Sequence, residues 1–213
     1  MTIHSSGIAE KPASPRLGVL GGTFDPPHYG HLALAENARV QLQLERVLFV
    51  PAGSPPHKPK RPITAVSHRL AMTAAAIADH PAFTLSRLDV QRPGPHFTVD
   101  TLVLLRQAEP TATIFFLIGG DSLAQLPTWR DPIGIVRQAF LAVMARPGYQ
   151  PDVTTLERTI PGLRDRLVWL DVPHLAITST DLRRRIRQGL PVRYLLPPSV
   201  EEYIRREKLY LPE

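Results

Sequence analysis

Short apolar runs recur along the chain and alternate with segments in which apolar residues follow a helical spacing. Strands that alternate with helices favour an α/β fold, a doubly wound parallel sheet with helices on both faces. In such sheets ligands bind outside the carboxyl ends of the strands, so functional residues are expected just after each run. The predicted strands are Leu17–Leu20, Val47–Val50, Phe83–Leu85, Ile114–Ile118, Phe140–Met144 and Leu167–Leu170. The predicted helices include Leu32–Leu44, His68–Ala78 and Val99–Arg106.

The chain has 213 residues, which suits a single domain with a core of its own. Residues 1–16 are polar, with scattered Pro and Ser but no apolar segment of a secretory signal, and predict a flexible N-terminal tail. Residues 17–213 are predicted to form the domain, which ends in a small C-terminal helical portion. The weakly patterned residues 150–166 predict an excursion from the sheet.

Composition excludes several classes of protein. The sequence has no cysteine, which excludes disulfides, thiolate nucleophiles and cysteine-ligated zinc. No apolar run approaches the roughly 20 residues of a membrane helix, so no membrane partner is expected and a cytoplasmic protein is predicted. The formal charge of +6 favours an anionic partner. Since zinc-finger spacing and RNP-like aromatic strands are missing, a phosphorylated small molecule is favoured over nucleic acid. The sequence leaves a homo-oligomer open.

The segment from Gly21 to Leu32 joins the first predicted strand to the first helix. Gly21 and Gly22 allow a ligand close to the main chain, and the helix start offers unpaired N–H groups to an anion. His28 and His31 share a face of the first helical turn, and both can donate to phosphate oxygens. Such histidines more often cap or pack, but their coincidence with glycines and turn prolines favours a phosphate site. Neither a P-loop nor a G-x-G-x-x-G fingerprint is present.

Further polar loops follow other predicted strands. Lys58 lies on the proline-rich loop after Val50, and Arg146 begins a Pro/Gly turn after Met144. Gly119 and Asp121 follow Ile118, where the carboxylate is expected to cap a helix or to accept ribose hydroxyls. Each loop alone is typical of a protein surface, but together they line one edge of the predicted sheet.

A second helix start is predicted at residues 178–183, with Gly189 as the helix stop. The alternative is that Thr178, Ser179 and Thr180 merely cap an amphipathic helix. However, three hydroxyls exceed the needs of one cap, and Arg183 in the first turn opposes the helix dipole unless an anion lies there. The segment therefore predicts a second helix terminus that binds phosphate.

With the segments GGTFDPPHYGH (21–31) and TSTDLRRR (178–185), the chain resembles the nucleotidylyltransferase superfamily, marked by an H-x-G-H turn and an S/T-S-T-x-x-R helix start. More narrowly, it resembles the bacterial nicotinate-nucleotide adenylyltransferases. That closer resemblance is carried by PPHK (55–58), FTVDTL (97–102), IGGDSL (118–123), LPTW (126–129) and VMARPG (143–148).

The resemblance implies a Rossmann-like fold and an enzyme of NAD biosynthesis. Its reaction joins the phosphate of nicotinate mononucleotide to the α-phosphorus of ATP, giving nicotinate adenine dinucleotide and pyrophosphate with Mg²⁺. Because that nucleophile is ionised at neutral pH, no activating base or covalent intermediate is needed. Mg²⁺ is expected to arrive with ATP, since the sequence has no evident carboxylate cluster for a metal cage.

The resemblance also assigns residues, with His28, His31 and Arg183 as the catalytic set that binds phosphate. Trp129 is implied to stack on the pyridine ring, although it would otherwise be a core anchor, and Lys58 is implied to neutralise the mononucleotide phosphate. The implied ATP-binding residues are Gly21, Gly22, Thr23, Phe24, His28, His31, Gly119, Asp121, Thr178, Ser179, Thr180 and Arg183. The implied residues for nicotinate mononucleotide are Lys58, Thr98, Trp129 and Arg146.

Two alternatives stay open at this point. A related transferase such as the pantetheine-phosphate enzyme shares both phosphate motifs but lacks the PPHK and LPTW segments. A non-enzymatic module with the same fold is expected to have lost His28, His31 or Arg183, and all three are present.

Overall fold

The computed structural model describes residues 14–53, 63–145 and 151–212. In these ranges strands and helices alternate through β6, and two further helices follow. A short 3-10 turn follows α4, and another precedes β6. The elements are β1 (Arg16–Gly22), α1 (Tyr29–Leu42), β2 (Arg46–Pro51), α2 (Val66–Ile77), β3 (Phe83–Leu85), α3 (Thr98–Ala108), β4 (Thr113–Gly119), α4 (Gly120–Gln125), α5 (Pro132–Gln138), β5 (Phe140–Met144), α6 (Val153–Thr159), β6 (Leu167–Leu170), α7 (Ser179–Arg187) and α8 (Pro198–Arg206).

All six strands lie parallel in the order β3-β2-β1-β4-β5-β6. The chain leaves β1 toward β2 and later returns beside β1 with β4, so the winding reverses between these two strands. A crevice opens at this point outside the carboxyl ends of β1 and β4. The predicted Rossmann-like, doubly wound sheet is therefore confirmed.

The continuous apolar strands bury both of their faces, as parallel strands do. In β4, Ile114, Phe116 and Ile118 pack in the layer of α3 and α5. Phe115 and Leu117, which alternate with them, pack in the opposite layer with α1, α2 and α8. Two apolar layers therefore fix the central strands, and with them the residues at the strand ends.

The C-terminal helices pack beside α1 and α2. Val200 and Ile204 of α8 are buried there, and so is Leu182 of α7. Gly189 follows α7 with φ +66, as expected for a helix stop. The domain bounds stay predictions, and residues 1–13 of the predicted tail lie outside the described residues.

The predicted excursion at 150–166 is wrong for the described residues from 151 onward. Helix α6 and a 3-10 turn form a crossover from β5 to β6, and Leu156, Ile160 and Leu163 are buried against the sheet. Their spacing of four and then three residues is helical, but six charged residues between Pro151 and Arg166 obscure it. None of the described helices has the length and apolar character to cross a membrane.

Candidate active site

Two clefts adjoin at the carboxyl edge of the sheet, and the described residues line both. The first has a volume of about 430 Å³ and lies between β1, α1 and α7. The second has a volume of about 320 Å³ and lies between β1, β2 and α3. Because the two clefts share wall residues, they form one continuous site across the switch point. The shared residues are Gly21, Thr23, Phe116, Ser122 and Trp129.

Two stacked histidines stand at the start of α1, in the first cleft. His28 is the N-cap residue, and its extended backbone (φ −153) turns the chain from the proline turn into the helix. His31 lies one turn further, and the ring centroids are 3.7 Å apart with an interplanar angle of 26°. The prediction that the two share a face is confirmed. The N–H of His28 donates to Nδ1 of His31 (3.2 Å), so a neutral His31 carries its hydrogen on Nε2.

Both imidazoles are neutral at pH 7. His28 is only 6% exposed, and burial lowers its pKa to about 4. For His31, burial and then the charge of a protonated His28 lower the pKa well below 6.5. The buried Nδ1 of His28 has no hydrogen-bond partner within the described part of the chain. The first cleft therefore presents neutral ring N–H groups.

We expect acid to destabilise the protein through His28. Above pH 6.5 the ring is neutral in both states, but between 6.5 and about 4 the unfolded chain binds a proton that the folded one excludes. The free energy of unfolding should fall over this window by about 3 kcal/mol from His28. Urea unfolding at pH 7.5, 6.5, 5.5 and 4.5 measures the slope. His28→Gln should reduce the slope and leave the part due to His31, whereas His174→Gln, at an exposed histidine of the same cleft, should leave the slope unchanged.

Gly30 makes room for the histidine pair, a role that the sequence analysis did not assign. A Cβ at this position would lie 3.0 Å from Nδ1 and 3.1 Å from Cε1 of His28. Such contacts are tight and would require the His28 ring to shift by a few tenths of an ångström. Glycine between the two histidines therefore favours their packing, and its place inside the H-x-G-H segment was the available signal.

The first turn of α7 closes the other side of this cleft. Thr178 is the N-cap residue, and its Oγ1 accepts the N–H of Asp181 (3.1 Å). The hydroxyl of Ser179 donates to the carbonyl of Pro26 (2.8 Å), which ties α7 to the proline turn. The capping alternative therefore accounts for Thr178 but not for Ser179. All three hydroxyl residues line the cleft, and their contact with phosphate stays a prediction.

Arg183 faces Asp25 across the cleft. Its Nη1 donates to the carbonyl oxygen of Asp25 (2.6 Å) and lies 3.8 Å from Oδ2 of the same residue. Its Nη2 donates to Oγ1 of Thr180 (3.4 Å). The Asp25 carboxylate, which is 4% exposed, therefore lies beside Arg183, and the predicted contact of Arg183 with phosphate stays a prediction. Asp25 was missed, because its partner Arg183 is 158 residues away in the sequence.

Arg69 of α2 holds the strand ends together and was also missed. Its side chain is 2% exposed, and its guanidinium donates to main-chain carbonyls of three segments. Burial lowers its pKa, and the charge of Asp25 opposes this shift. An arginine in an otherwise amphipathic helix is usually a surface residue, so no sequence pattern indicated its burial. The acceptors are the carbonyls of Thr23 (3.0 Å), Ala52 (2.7 Å), Gly53 (3.1 Å) and Thr64 (2.9 Å).

Gly119 and Asp121 border the first cleft at the end of β4. The N-cap residue of α4 is Gly119, and Asp121 lies in the first turn, so the expected capping by Asp121 is wrong. Its exposed carboxylate lines the cleft, and its contact with ribose stays a prediction. On the opposite wall, Thr23 and the buried Phe24 complete the predicted set, and the Phe24 ring meets His31 edge to face at 5.0 Å.

Trp129 stands between the two clefts, directly after the 3-10 turn Leu126–Thr128. Its half-buried ring meets Phe116 edge to face at 6.2 Å. The ring is thus partly anchored in the core and also lines both clefts, and its stacking on the pyridine ring stays a prediction. Thr98 is the first residue of α3, so its N–H belongs to a helix terminus that favours an anion.

Two predicted residues of the second cleft, Lys58 and Arg146, lie outside the described residues. Arg130 also lines the second cleft, and its guanidinium lies 5.2 Å from the ring centroid of Phe97. Across the described ranges, no three His, Asp or Glu side chains lie close enough together to hold a metal ion.

Comparisons with known proteins agree with this geometry. The cytidylyltransferase-like family matches residues 19–185. The chain is 51% identical to the "Probable nicotinate-nucleotide adenylyltransferase" of Thermomicrobium roseum, over 92% of this chain and 91% of the relative. It is 45% identical to the protein of the same name in a Roseiflexus species, over 93% and 99%. Among solved structures, it is similar to the Plasmodium falciparum nicotinic acid mononucleotide adenylyltransferase complexed with NaAD, with a TM-score of 0.75, 18% identity and coverage of 92% and 97%. This last likeness supports the fold.

Proposed function

Since the chain belongs to the nicotinate-nucleotide adenylyltransferase family, within the cytidylyltransferase-like group, we propose that it transfers the adenylyl group of ATP to nicotinate mononucleotide. The products are nicotinate adenine dinucleotide and pyrophosphate, and the reaction is a step of NAD biosynthesis. Because ATP is the donor, we place the enzyme in the cytoplasm.

The observation that carries this proposal is the pair of adjoining clefts at the switch point. The first cleft contains the histidine pair, Arg183 and two helix N-termini, which suit a triphosphate. The second is bounded by Trp129 and the start of α3, which suit an aromatic ring that bears a carboxylate. A transferase that joins two nucleotides needs such neighbouring sites with a shared wall, so that both phosphates meet where the clefts join.

In the first cleft, we assign the ATP phosphates to His28, His31 and Arg183. Because both rings are neutral, each has one N–H group, and we assign these two groups as donors to phosphate oxygens. The guanidinium of Arg183 binds the β- and γ-phosphates beside Thr178, Ser179 and Thr180. Gly21, which lines both clefts, and Gly22, which lines the second, let the nucleotide approach the end of β1, and Gly119 and Asp121 face it from β4.

In the second cleft, we assign the pyridine ring to the face of Trp129 and its carboxylate to the N–H groups around Thr98 and Trp129. Lys58 and Arg146 remain the proposed partners of the mononucleotide phosphate. The acceptor phosphate is already ionised, so the side chains need only align it with the α-phosphorus and balance charge on the phosphoryl group and the pyrophosphate.

Magnesium fits this site as an ion carried by ATP. The carboxylates in the described lining of the first cleft are those of Asp25, which accepts from Tyr210 and faces Arg183, and of Asp121, which is exposed. Such a donor set suits a cation that keeps most of its ligands from phosphate and water. When bound, Mg²⁺ supplies charge neutralisation for the phosphates.

The direct test is pyrophosphate release from ATP and Mg²⁺ with three acceptors in parallel: nicotinate mononucleotide, nicotinamide mononucleotide and phosphopantetheine. We expect kcat/KM to be at least about tenfold higher for nicotinate mononucleotide than for the amide, because the amide leaves donors of the second cleft unmatched. Phosphopantetheine should give no release.

Comparable kcat/KM for the two pyridine mononucleotides would overturn the acceptor preference. Release with phosphopantetheine alone would favour the related transferase instead. If a sample with a cooperative unfolding transition released no pyrophosphate with any of the three acceptors, the proposed reaction would be contradicted.

A further inference from the structure

The C-terminal end of the chain returns to Asp25, a residue that lines the first cleft. After α8, the backbone of Lys208 and Tyr210 adopts positive φ angles of 51° and 62°, which turn the segment back toward α2 and the proline turn. The hydroxyl of Tyr210 donates to Oδ1 of Asp25 at 2.7 Å, across 185 residues of sequence, and lies 3.8 Å from the sulfur of Met72. Burial and the Asp25 carboxylate raise the pKa of this phenol, so it stays a donor at neutral pH.

The Asp25 carboxylate connects this phenol to the phosphate-binding groups. Oδ1 accepts from Tyr210, whereas Oδ2 accepts the N–H of Thr64 (3.4 Å) and faces Nη1 of Arg183 (3.8 Å). The main chain of Asp25 is bonded to Arg183 as well, through its carbonyl oxygen. Asp25 also lies three residues before His28, in the same turn. The orientation of its carboxylate therefore affects Arg183 on one side of the first cleft and the turn of His28 on the other.

We propose that Tyr210 is a positioning residue for the transfer reaction, which fixes the Asp25 carboxylate and thereby sets Arg183 and the His28 turn for the triphosphate. The inference rests on the proposed function. Without the phenol, Oδ1 loses its hydrogen-bond donor and the buried carboxylate can rotate toward Arg183. A guanidinium engaged more closely by Asp25 is less available to an incoming phosphate.

Tyr203 provides a matched control for this idea. It lies on α8, also packs toward α2, and its hydroxyl makes one side-chain hydrogen bond, to Nδ1 of His68 (3.0 Å). Neither Tyr203 nor His68 lines either cleft. Tyr203→Phe therefore removes the same atom and one side-chain hydrogen bond from the same end of the chain, without touching Asp25.

The experiment measures ATP binding by calorimetry, steady-state kinetics and urea unfolding for the wild type, Tyr210→Phe and Tyr203→Phe. We expect Tyr210→Phe to lower kcat/KM for ATP about tenfold, as for a lost bond to a charged group, and to weaken ATP binding. The KM for the acceptor should change by less than about twofold, because the second cleft is untouched. Tyr203→Phe should leave both kinetic parameters at their wild-type values, with a comparable loss of stability.

A double-mutant cycle tests whether the effect runs through Asp25. Asp25→Asn should itself impair ATP use, and adding Tyr210→Phe to it should cost far less than in the wild type. Additive losses, or equal kinetics for the two tyrosine variants, would overturn the inference. Failure of the proposed function is distinguishable, because a wild type that binds ATP without transferring it to nicotinate mononucleotide still allows the ATP-binding comparison.

Discussion

Replacing His31 with alanine is expected to lower kcat by about a hundredfold to a thousandfold, the cost of removing one preorganised donor from a developing charge. The structure holds this imidazole by the stacked His28 ring and by the main-chain N–H of the same residue. Its Nε2 hydrogen is therefore oriented before ATP arrives. Stability should fall by only about 1–2 kcal/mol, because one hydrogen bond and a half-buried ring are lost. Single-turnover kinetics and urea unfolding separate the two effects.

His68→Ala is the control for His31→Ala. His68 is likewise a half-buried histidine in the first turn of a helix, with one side-chain hydrogen bond, but it lines neither cleft. His68→Ala should lower the free energy of unfolding by a similar amount and leave kcat within about twofold of the wild-type value. If His31→Ala kept the wild-type turnover, His31 would have no part in the mechanism.

Removing the guanidinium of Arg183 should impair catalysis to a comparable degree, seen as a lower kcat/KM for ATP. We expect Arg183→Ala to lower kcat/KM for ATP by about a hundredfold or more, since the fork of donors on the phosphates and their charge are lost together. Arg183→Lys keeps the charge but not the fork and should recover only part of this loss. Steady-state kinetics with ATP varied at saturating acceptor measures both variants.

Arg187, exposed on the same helix, provides the matched control, because Arg187→Ala should leave kcat/KM near its wild-type value. Arg183→Ala should also lower the free energy of unfolding by about 1–3 kcal/mol, because the buried Asp25 carboxylate loses the guanidinium that faces it at 3.8 Å. An alanine variant with unchanged use of ATP would exclude Arg183 from phosphate binding.

The features that sequence predicted well have local causes. The apolar run Ile114–Ile118 defines a strand buried on both faces, and β3, β5 and β6 have the predicted bounds. The histidine pair depends on a spacing of three residues, and the start of α7 on a cap within one turn. These patterns are complete within a few residues, so they can be recognised without knowledge of the fold.

The features that sequence missed depend on distant contacts. Arg183 meets Asp25 across 158 residues, and Tyr210 meets it across 185. No period or motif along the chain encodes such pairs, because they exist only after the sheet has brought β1, α7 and the C-terminal segment together. Helix α6 was missed for a different reason, since three spaced apolar residues are outnumbered by the charged residues around them.

The four carbonyl bonds of Arg69 hold the phosphate-binding turn in place before a ligand arrives. They join the segment after β1, the end of β2 and the approach to α2 through one buried guanidinium, so these segments lose their freedom together as the chain folds. Dipoles fixed in advance need little reorganisation when a charged ligand arrives. Much of the conformational entropy of the phosphate-binding turn is thus lost during folding. Less of it therefore has to be lost when ATP binds.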